Sequence, residues 1–359
     1  MNSLSRRSLV AAGMAPALVR AGGGPAVRLP KKVRVGLLGL DGHISEILSP
    51  LPQLPDVELV AVSDPDAAAR AHLARNPLLA RTRFYSSHRE LLDREQIDIA
   101  AICNTNGERA ALILDCLARK LHVVAEKPLA IERAGLEKIK QRKNESGVRL
   151  SMLLPMRFDP MYLALKEIVD SGEIGEVALI DAQKSYKGGS RAPWYTKHST
   201  YGGTIPWIGI HMVDLMRWTS GREFTDAMSF QTHIAYPELG DMENVTATLF
   251  RMDNGGAATL HMDYLRPESC PTHGDDRLRL AGTKGIAEYM AATGVTVLSA
   301  GRKPRVVEQL PARRWLFAEF LDSVYSGKPE SLTLADIYRV NDIVLSAREA
   351  AEKRQIMHL

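Results

Sequence analysis

The chain reads as an α/β protein: a doubly wound parallel sheet followed by an α+β domain with a large, mostly antiparallel open sheet. Three observations predict this. Short aliphatic strands alternate with amphipathic helices over the first 150 residues, which implies a parallel sheet covered on both faces. The character changes near residue 148, after which long strands carry antiparallel turn signals such as "DNGG". Finally, 359 residues with 45% hydrophobic and 25% charged content fit about two globular domains.

Taken in order, "MNSLSRRSLVAAGMAPALVRAGGGP" pairs two arginines with an apolar run from Leu9 to Val19, then Arg20 and small residues. It looks like a twin-arginine export leader over residues 1–21, followed by a linker over 22–32. The run is too short for a permanent membrane span. The expected location is therefore periplasmic or secreted, reached by export in the folded state. The formal charge is +4, and 4 less the three leader arginines leaves +1, which gives no support for a nucleic-acid partner. Cys103, Cys116 and Cys270 are too widely spaced for a disulfide framework or a metal motif, and the first two read as buried apolar residues.

A parallel-sheet domain is expected over residues 33–150. Its strands fall at 33–38, 57–64, 83–87, 98–103 and 122–127, and its helices at 43–50, 66–76 and 107–120. The second domain, 151–330, opens with the strand "VRLSMLLP" and a helix from Pro160 to Ser171. The strand "EVALIDAQKSY" and a helix from Thr204 to Thr219 follow, then the hairpin "NVTATLFRM" and "AATLHMDYL". Helices at 313–326 and 333–353 carry apolar residues at helical spacing, and the segment 331–359 is expected to close the molecule.

Residues of chemical interest gather at the predicted carboxyl ends of the strands. In "GLLGLDGHISEIL", Gly36, Gly39 and Gly42 recur every third residue. Gly39 suits a tight strand-to-helix turn, and Gly42 with His43 beside it lies where backbone N–H groups meet an anion. Asp41 stands where such a turn has its second glycine; either it points away from a bound diphosphate, or its carboxylate caps the helix and fills the anion site itself. Asp64 closes the second strand, 25 residues after Gly39, where a carboxylate bonds the hydroxyls of an adenosine ribose and repels a 2′-phosphate, favouring NAD over NADP. Asn104 and Asn106 follow the fourth strand at the same edge. In "HVVAEKPLA", Glu126 and Lys127 reach that edge and Pro128 restrains the backbone; a lysine so placed can bond a substrate hydroxyl and take part in proton transfer.

With "CNTNGER", "EKPLA", "MRFDP", "SGEIGEV" and "YGGTIPWIGIHMVDLMRWTSG" in place, the chain from about Val33 onward resembles the glucose-fructose oxidoreductase, inositol dehydrogenase and rhizopine catabolism family. The resemblance implies a Rossmann domain, an open sheet that often mediates oligomers, NAD or NADP as hydride carrier, and sugars or cyclitols as substrates. It implies Lys127 as the catalytic-site lysine, His211 as the active-site histidine and a cis Lys127–Pro128 peptide. Three positions depart from the family pattern: Asp41 for a glycine, Arg109 for a usual histidine, and Trp207 for the aspartate one turn before His211.

Trp207, His211 and Asp214 share a helix face by their spacing. Trp207 reads as a sugar-stacking platform or as core. Arg157, Lys184, Arg191 and Trp194 are further candidates for substrate contact, and His233, His261 and Asp263 lack any recognised metal spacing, so no metal is expected. The expected function is an exported NAD-dependent oxidoreductase acting on a secondary alcohol of a sugar or cyclitol. Its cofactor should be tightly held, because the periplasm offers no NAD pool, and the protein should be a homo-oligomer, a dimer or tetramer. The competing readings are a glycosidase or lyase working through a transient keto sugar, and a non-catalytic sugar-binding protein.

Overall fold

The computed structural model describes residues 27–359; the expected export leader lies outside them. The described chain forms two compact units, residues 27–158 with 314–341, and residues 159–313 with 342–359. Residues 314–341 thus fall with the first unit, whereas a contiguous split at residue 150 places them later.

In the first unit the strands are β1 (Val33–Leu38), β2 (Val57–Ser63), β3 (Arg83–Tyr85), β4 (Ile99–Ile102), β5 (His122–Ala125) and β6 (Leu150–Met152). All pair in parallel in the order β3-β2-β1-β4-β5-β6. The order reverses beside β1, and in open α/β sheets the crevice at such a switch point is where ligands bind. The apolar runs that form these strands are buried on both faces: Val35, Leu37, Ile99, Ala101, Val123 and Val124 have no solvent exposure. Between the strands lie α1 (Ile44–Leu48), α2 (Ala67–Leu73), α3 (His88–Arg94), α4 (Asn106–Ala118) and α5 (Arg133–Ser146).

Two of these helices escaped the sequence reading although each carries a signal. Ser87 and Glu90 have the spacing of a capping box, and Ser87 Oγ accepts from Glu90 N at the start of α3. Gly147 ends α5 in the left-handed conformation that favours glycine.

The second unit is built on α6 (Pro160–Asp170), β7 (Val177–Lys187), α7 (His198–Tyr201), a π-helical turn (Ile205–Gly209) and α8 (Ile210–Ser220). Strands β8 (Phe224–Thr232), β9 (Val245–Met252), β10 (Ala257–Arg266), β11 (Gly274–Gly282), β12 (Gly285–Met290), β13 (Gly294–Ser299) and β14 (Arg305–Val306) follow. Of the last helices, α9 (Leu316–Ser326) falls with the first unit and α10 (Leu334–Lys353) is divided between the two at residue 341, and β15 (Met357–His358) lies in the second. Nine strands pair in the order β14-β13-β12-β11-β7-β10-β9-β8-β15, antiparallel throughout except for β7 and β10. The period-2 burial of β9 follows from its sequence: Thr246, Thr248, Phe250 and Met252 turn inward, and Ala247, Leu249 and Arg251 outward. The inner face packs on α8, whose Ile210, Met212, Val213, Leu215 and Met216 are fully buried. Pro206 and the π-helical turn interrupt the expected single helix from 204 to 219. Among the described residues, no helix is long and apolar enough to cross a membrane.

Candidate active site

The glycine turn leaves β1 at Gly39, whose φ is +94° and whose Cα lies so close to β4 that a Cβ there would meet Asn104 Cα at 2.6 Å. Only glycine satisfies both conditions. The backbone N–H groups of the turn are taken up in sequence: Gly39 N donates to Ser63 O (2.7 Å), Leu40 N to Asp64 Oδ2 (2.9 Å), Asp41 N to Cys103 O (2.8 Å) and His43 N to Glu126 Oε1 (2.8 Å). At the start of α1, Glu126 from the end of β5 accepts the His43 backbone N–H. The N-cap residue of α1 is His43, and no side chain caps it in the usual way. Gly42 makes room for Glu126, since a Cβ on Gly42 would approach Glu126 Cδ within 2.7 Å.

Glu126 has no solvent exposure. Burial alone would raise its carboxyl, but the positive charges of His43 and Lys127 outweigh that and hold it at about 2. Its second oxygen accepts from Lys127 N at 2.5 Å. Lys127 itself is buried, and the Lys127–Pro128 peptide is cis, as the resemblance implies. Beyond the proline, Leu129 N donates to Asn341 Oδ1 at 3.0 Å.

Asp64 sits at the end of β2 with its carboxylate accepting from Leu40 N and from Asp66 N (2.7 Å). Asn104, at the end of β4, is buried, and its Oδ1 has no hydrogen-bond partner within the protein. An orphaned buried acceptor at the carboxyl edge of a parallel sheet is a feature that a ligand satisfies. Together with the Asp64 carboxylate at the end of β2 and the close-approach glycines, it fits a dinucleotide. Asn106 begins α4 and accepts from Arg109, so it serves the helix start. Gly36 belongs to none of this. It lies inside β1, where a Cβ would strike Ile97 Cδ1 at 2.9 Å, so it provides packing space for Ile97 and Leu91 and takes no part in the turn.

In the second unit, His211 and Asp214 lie on α8 and are buried, at 5% and 1% exposure. Trp207 stands on the π-helical turn, a form that often marks functional positions. Only 6% exposed, it packs its ring edge-on against Trp194 (5.4 Å between centroids) and Tyr195 (5.9 Å), while Trp194 and Tyr195 stack on each other. The ring is thus enclosed, and the half-buried Trp194 and Tyr195 form the outer face of the aromatic cluster.

Three expected substrate contacts have partners within the protein. Arg157 pairs with Asp336 (3.3 Å) and donates to Ser331 O; Lys184, fully buried, pairs with Asp276 (2.7 Å); and Arg191 donates to Gly188 O and Lys187 O while lying over the Tyr264 ring. A buried cation needs such partners, and sequence alone did not reveal them. Missed altogether were Asn341 and Glu243. The Glu243 carboxylate accepts from Thr204 N (3.0 Å) and meets His198 Nε2 (2.7 Å), tying the aromatic loop to the start of the π-helical turn.

Residues 33–154 match the model of the oxidoreductase family with NAD-binding Rossmann fold, and residues 162–288 match the GFO/IDH/MocA C-terminal domain. The chain belongs to the Gfo/Idh/MocA family. A solved oxidoreductase structure from Thermotoga maritima is 30% identical with a TM-score of 0.86, covering 91% of this chain and 100% of that one. The oxidoreductase YrbE of Bacillus subtilis is 28% identical over 72% of this chain and 74% of its own length. The myo-inositol 2-dehydrogenase of Thermotoga maritima is 25% identical over 91% and 98%. As a member of the Gfo/Idh/MocA family the chain is an oxidoreductase, and NAD is the cofactor of its Rossmann unit.

Proposed function

We propose that the protein is an exported NAD-dependent dehydrogenase that oxidises a secondary alcohol of a sugar or cyclitol. The observation that carries this reading is Lys127, buried at the end of β5, with its backbone held by Glu126 beside the orphaned Asn104 acceptor. Relatives named inositol 2-dehydrogenase support the substrate class.

Bound NAD supplies the hydride acceptor. The chain's own residues do the rest. Asp64 receives the ribose hydroxyls, and its charge disfavours a 2′-phosphate. Asn104 Oδ1 accepts a hydrogen bond from the ligand. Lys127 bonds and positions the substrate hydroxyl, and His211, with Asp214 one turn on, takes its proton. Trp194 and Tyr195, supported from behind by Trp207, offer an apolar face to the C–H side of a ring.

Export and tight retention of NAD belong to the same proposal, supported by the leader sequence. So does a homo-oligomer, dimer or tetramer, formed through the outer face of the nine-stranded sheet, where Leu179, Met228, Phe230, Leu249 and Leu265 are exposed on adjoining strands. The test is to denature the purified protein and assay the supernatant for NAD, then to follow NADH absorbance with myo-inositol and a panel of sugars. Nucleotide with alcohol-dependent NADH formation supports the reading. Sugar binding without nucleotide or turnover replaces it with a binding role.

A further inference from the structure

Arg109 is the fourth residue of α4 and has no solvent exposure. One turn above Asn106, it points from the helix start toward the ends of β4 and β5. Its Nη1 donates to Asn106 Oδ1 (2.9 Å), Lys127 O (2.9 Å) and Pro128 O (3.0 Å), and its Nη2 donates to Asn104 O. One buried guanidinium therefore joins the loop after β4 to the backbone on which Lys127 is mounted. From the other side, Lys127 N is held by Glu126 Oε2 and Leu129 N by Asn341 Oδ1. Carbonyl oxygens arranged in a fan suit the planar fork of arginine; the single ammonium of lysine cannot span them, and an imidazole cannot donate to so many.

We propose that Arg109 is a positioning residue for Lys127: it fastens the Lys127 and Pro128 carbonyls to Asn104, so that the lysine amine and the nucleotide-facing amide are set by one group. The buried cation also has a charge partner in the same place, since its field helps hold Glu126 low. Arg109 thus holds the Lys127 backbone from the loop after β4, while Glu126 ties it to the glycine turn. The functional meaning of that hold rests on Lys127 bonding the substrate hydroxyl, as proposed above.

The test uses the full chain carrying Arg109→Lys and, separately, Arg109→Ala. Each is pulse-labelled with an amine acetylating reagent, and the rate at Lys127 is read by mass spectrometry against Lys184, a second buried lysine in the other unit. NADH binding is followed by fluorescence. Losing several hydrogen bonds to one charged group should raise Lys127 labelling, and weaken NADH binding, by about 10-fold or more in Arg109→Ala. Millimolar guanidinium should restore both in that variant. Arg109→Lys keeps charge and length, folds if Arg109→Ala does not, and should show the same increase at Lys127 without rescue. Unchanged labelling in the folded variants, or an equal rise at Lys127 and Lys184, overturns the proposal. Myo-inositol oxidation by Lys127→Ala separates the two ideas: an active Lys127→Ala protein removes the catalytic reading, whereas the labelling result alone decides whether Arg109 holds Lys127.

Discussion

Glu126 and His43 meet twice: the carboxylate Oε1 accepts the His43 backbone N–H at 2.8 Å and pairs with the imidazole Nδ1 of the same residue. A side chain from the end of β5 thereby does at the start of α1 what a capping residue of the helix itself usually does. Removing the charge should be costly. Glu126→Gln turns an amide against one of two backbone donors, His43 N or Lys127 N, and should lower unfolding free energy by about 2 kcal/mol. Because the folded carboxyl is depressed to about 2 from an ordinary 4.5, this contribution is complete above pH 4.5 and is lost as pH falls toward 2. Urea unfolding at pH 7 and at pH 3 should show the wild-type advantage over Glu126→Gln shrinking at the lower pH.

Gly39→Ala should break the turn. The added Cβ requires a φ of +94° and meets Asn104 Cα at 2.6 Å, so strain and overlap together should cost at least about 3 kcal/mol. Thermal unfolding measures the loss, and NADH titration should find no binding. A Gly39→Ala protein of normal stability would mean that the chain approach between β1 and β4 is slack.

Cofactor choice should lie with Asp64. Asp64→Asn keeps the acceptor for Leu40 N or Asp66 N but loses the charge, so it should weaken NADH binding modestly while improving NADPH binding, narrowing the preference by about 10-fold, or 1.4 kcal/mol. Parallel fluorescence titrations with the two nucleotides check this.

His211→Asn should slow turnover by at least about 10²-fold, the low end of a general acid-base contribution. Trp207→Phe should act differently, since its enclosed ring supports Trp194 and Tyr195, and should raise KM more than it lowers kcat. Steady-state kinetics on the alcohol found in the NADH assay separates the two effects.

The pair His198 and Glu243 sets a pH window for the aromatic loop. The hydrogen bond to Glu243 raises His198 above its ordinary 6.5, so its contribution is complete below 6.5 and is lost as pH rises through the raised value. Glu243 is opposed by burial but held below its ordinary 4.5 by its hydrogen bond and attraction to His198, so its contribution is present above 4.5 and is lost as pH falls. Asp241 and Arg348 face the same imidazole with opposite signs. The loop should therefore be tightest between pH 4.5 and 6.5. Tryptophan fluorescence of the wild type should change on either side of that range, and His198→Gln should flatten the alkaline change.

The sequence by itself determined the parallel sheet, the switch to an antiparallel one, and the placement of Asp64, Asn104, Glu126 and Lys127 at strand ends. Those features are local: an aliphatic run of four to eight residues bounded by turn residues reads as a buried strand, and the residue after it is at the edge. It also carried the family, because the motifs are contiguous. Only the tertiary structure decided what the other charged residues do. Arg157 and Asp336 are 179 residues apart, and Lys184 and Asp276 are 92 apart, so neither pairing leaves a local trace. Gly36 shows the same limit, since its spacing matches a turn glycine while its neighbours Leu91 and Ile97 make it a packing glycine. The roles of Arg109 and Glu126 were hidden for that reason too. Burial makes a charged group seek its partners, and those partners are the backbone groups of elements that meet only when the sheet is assembled.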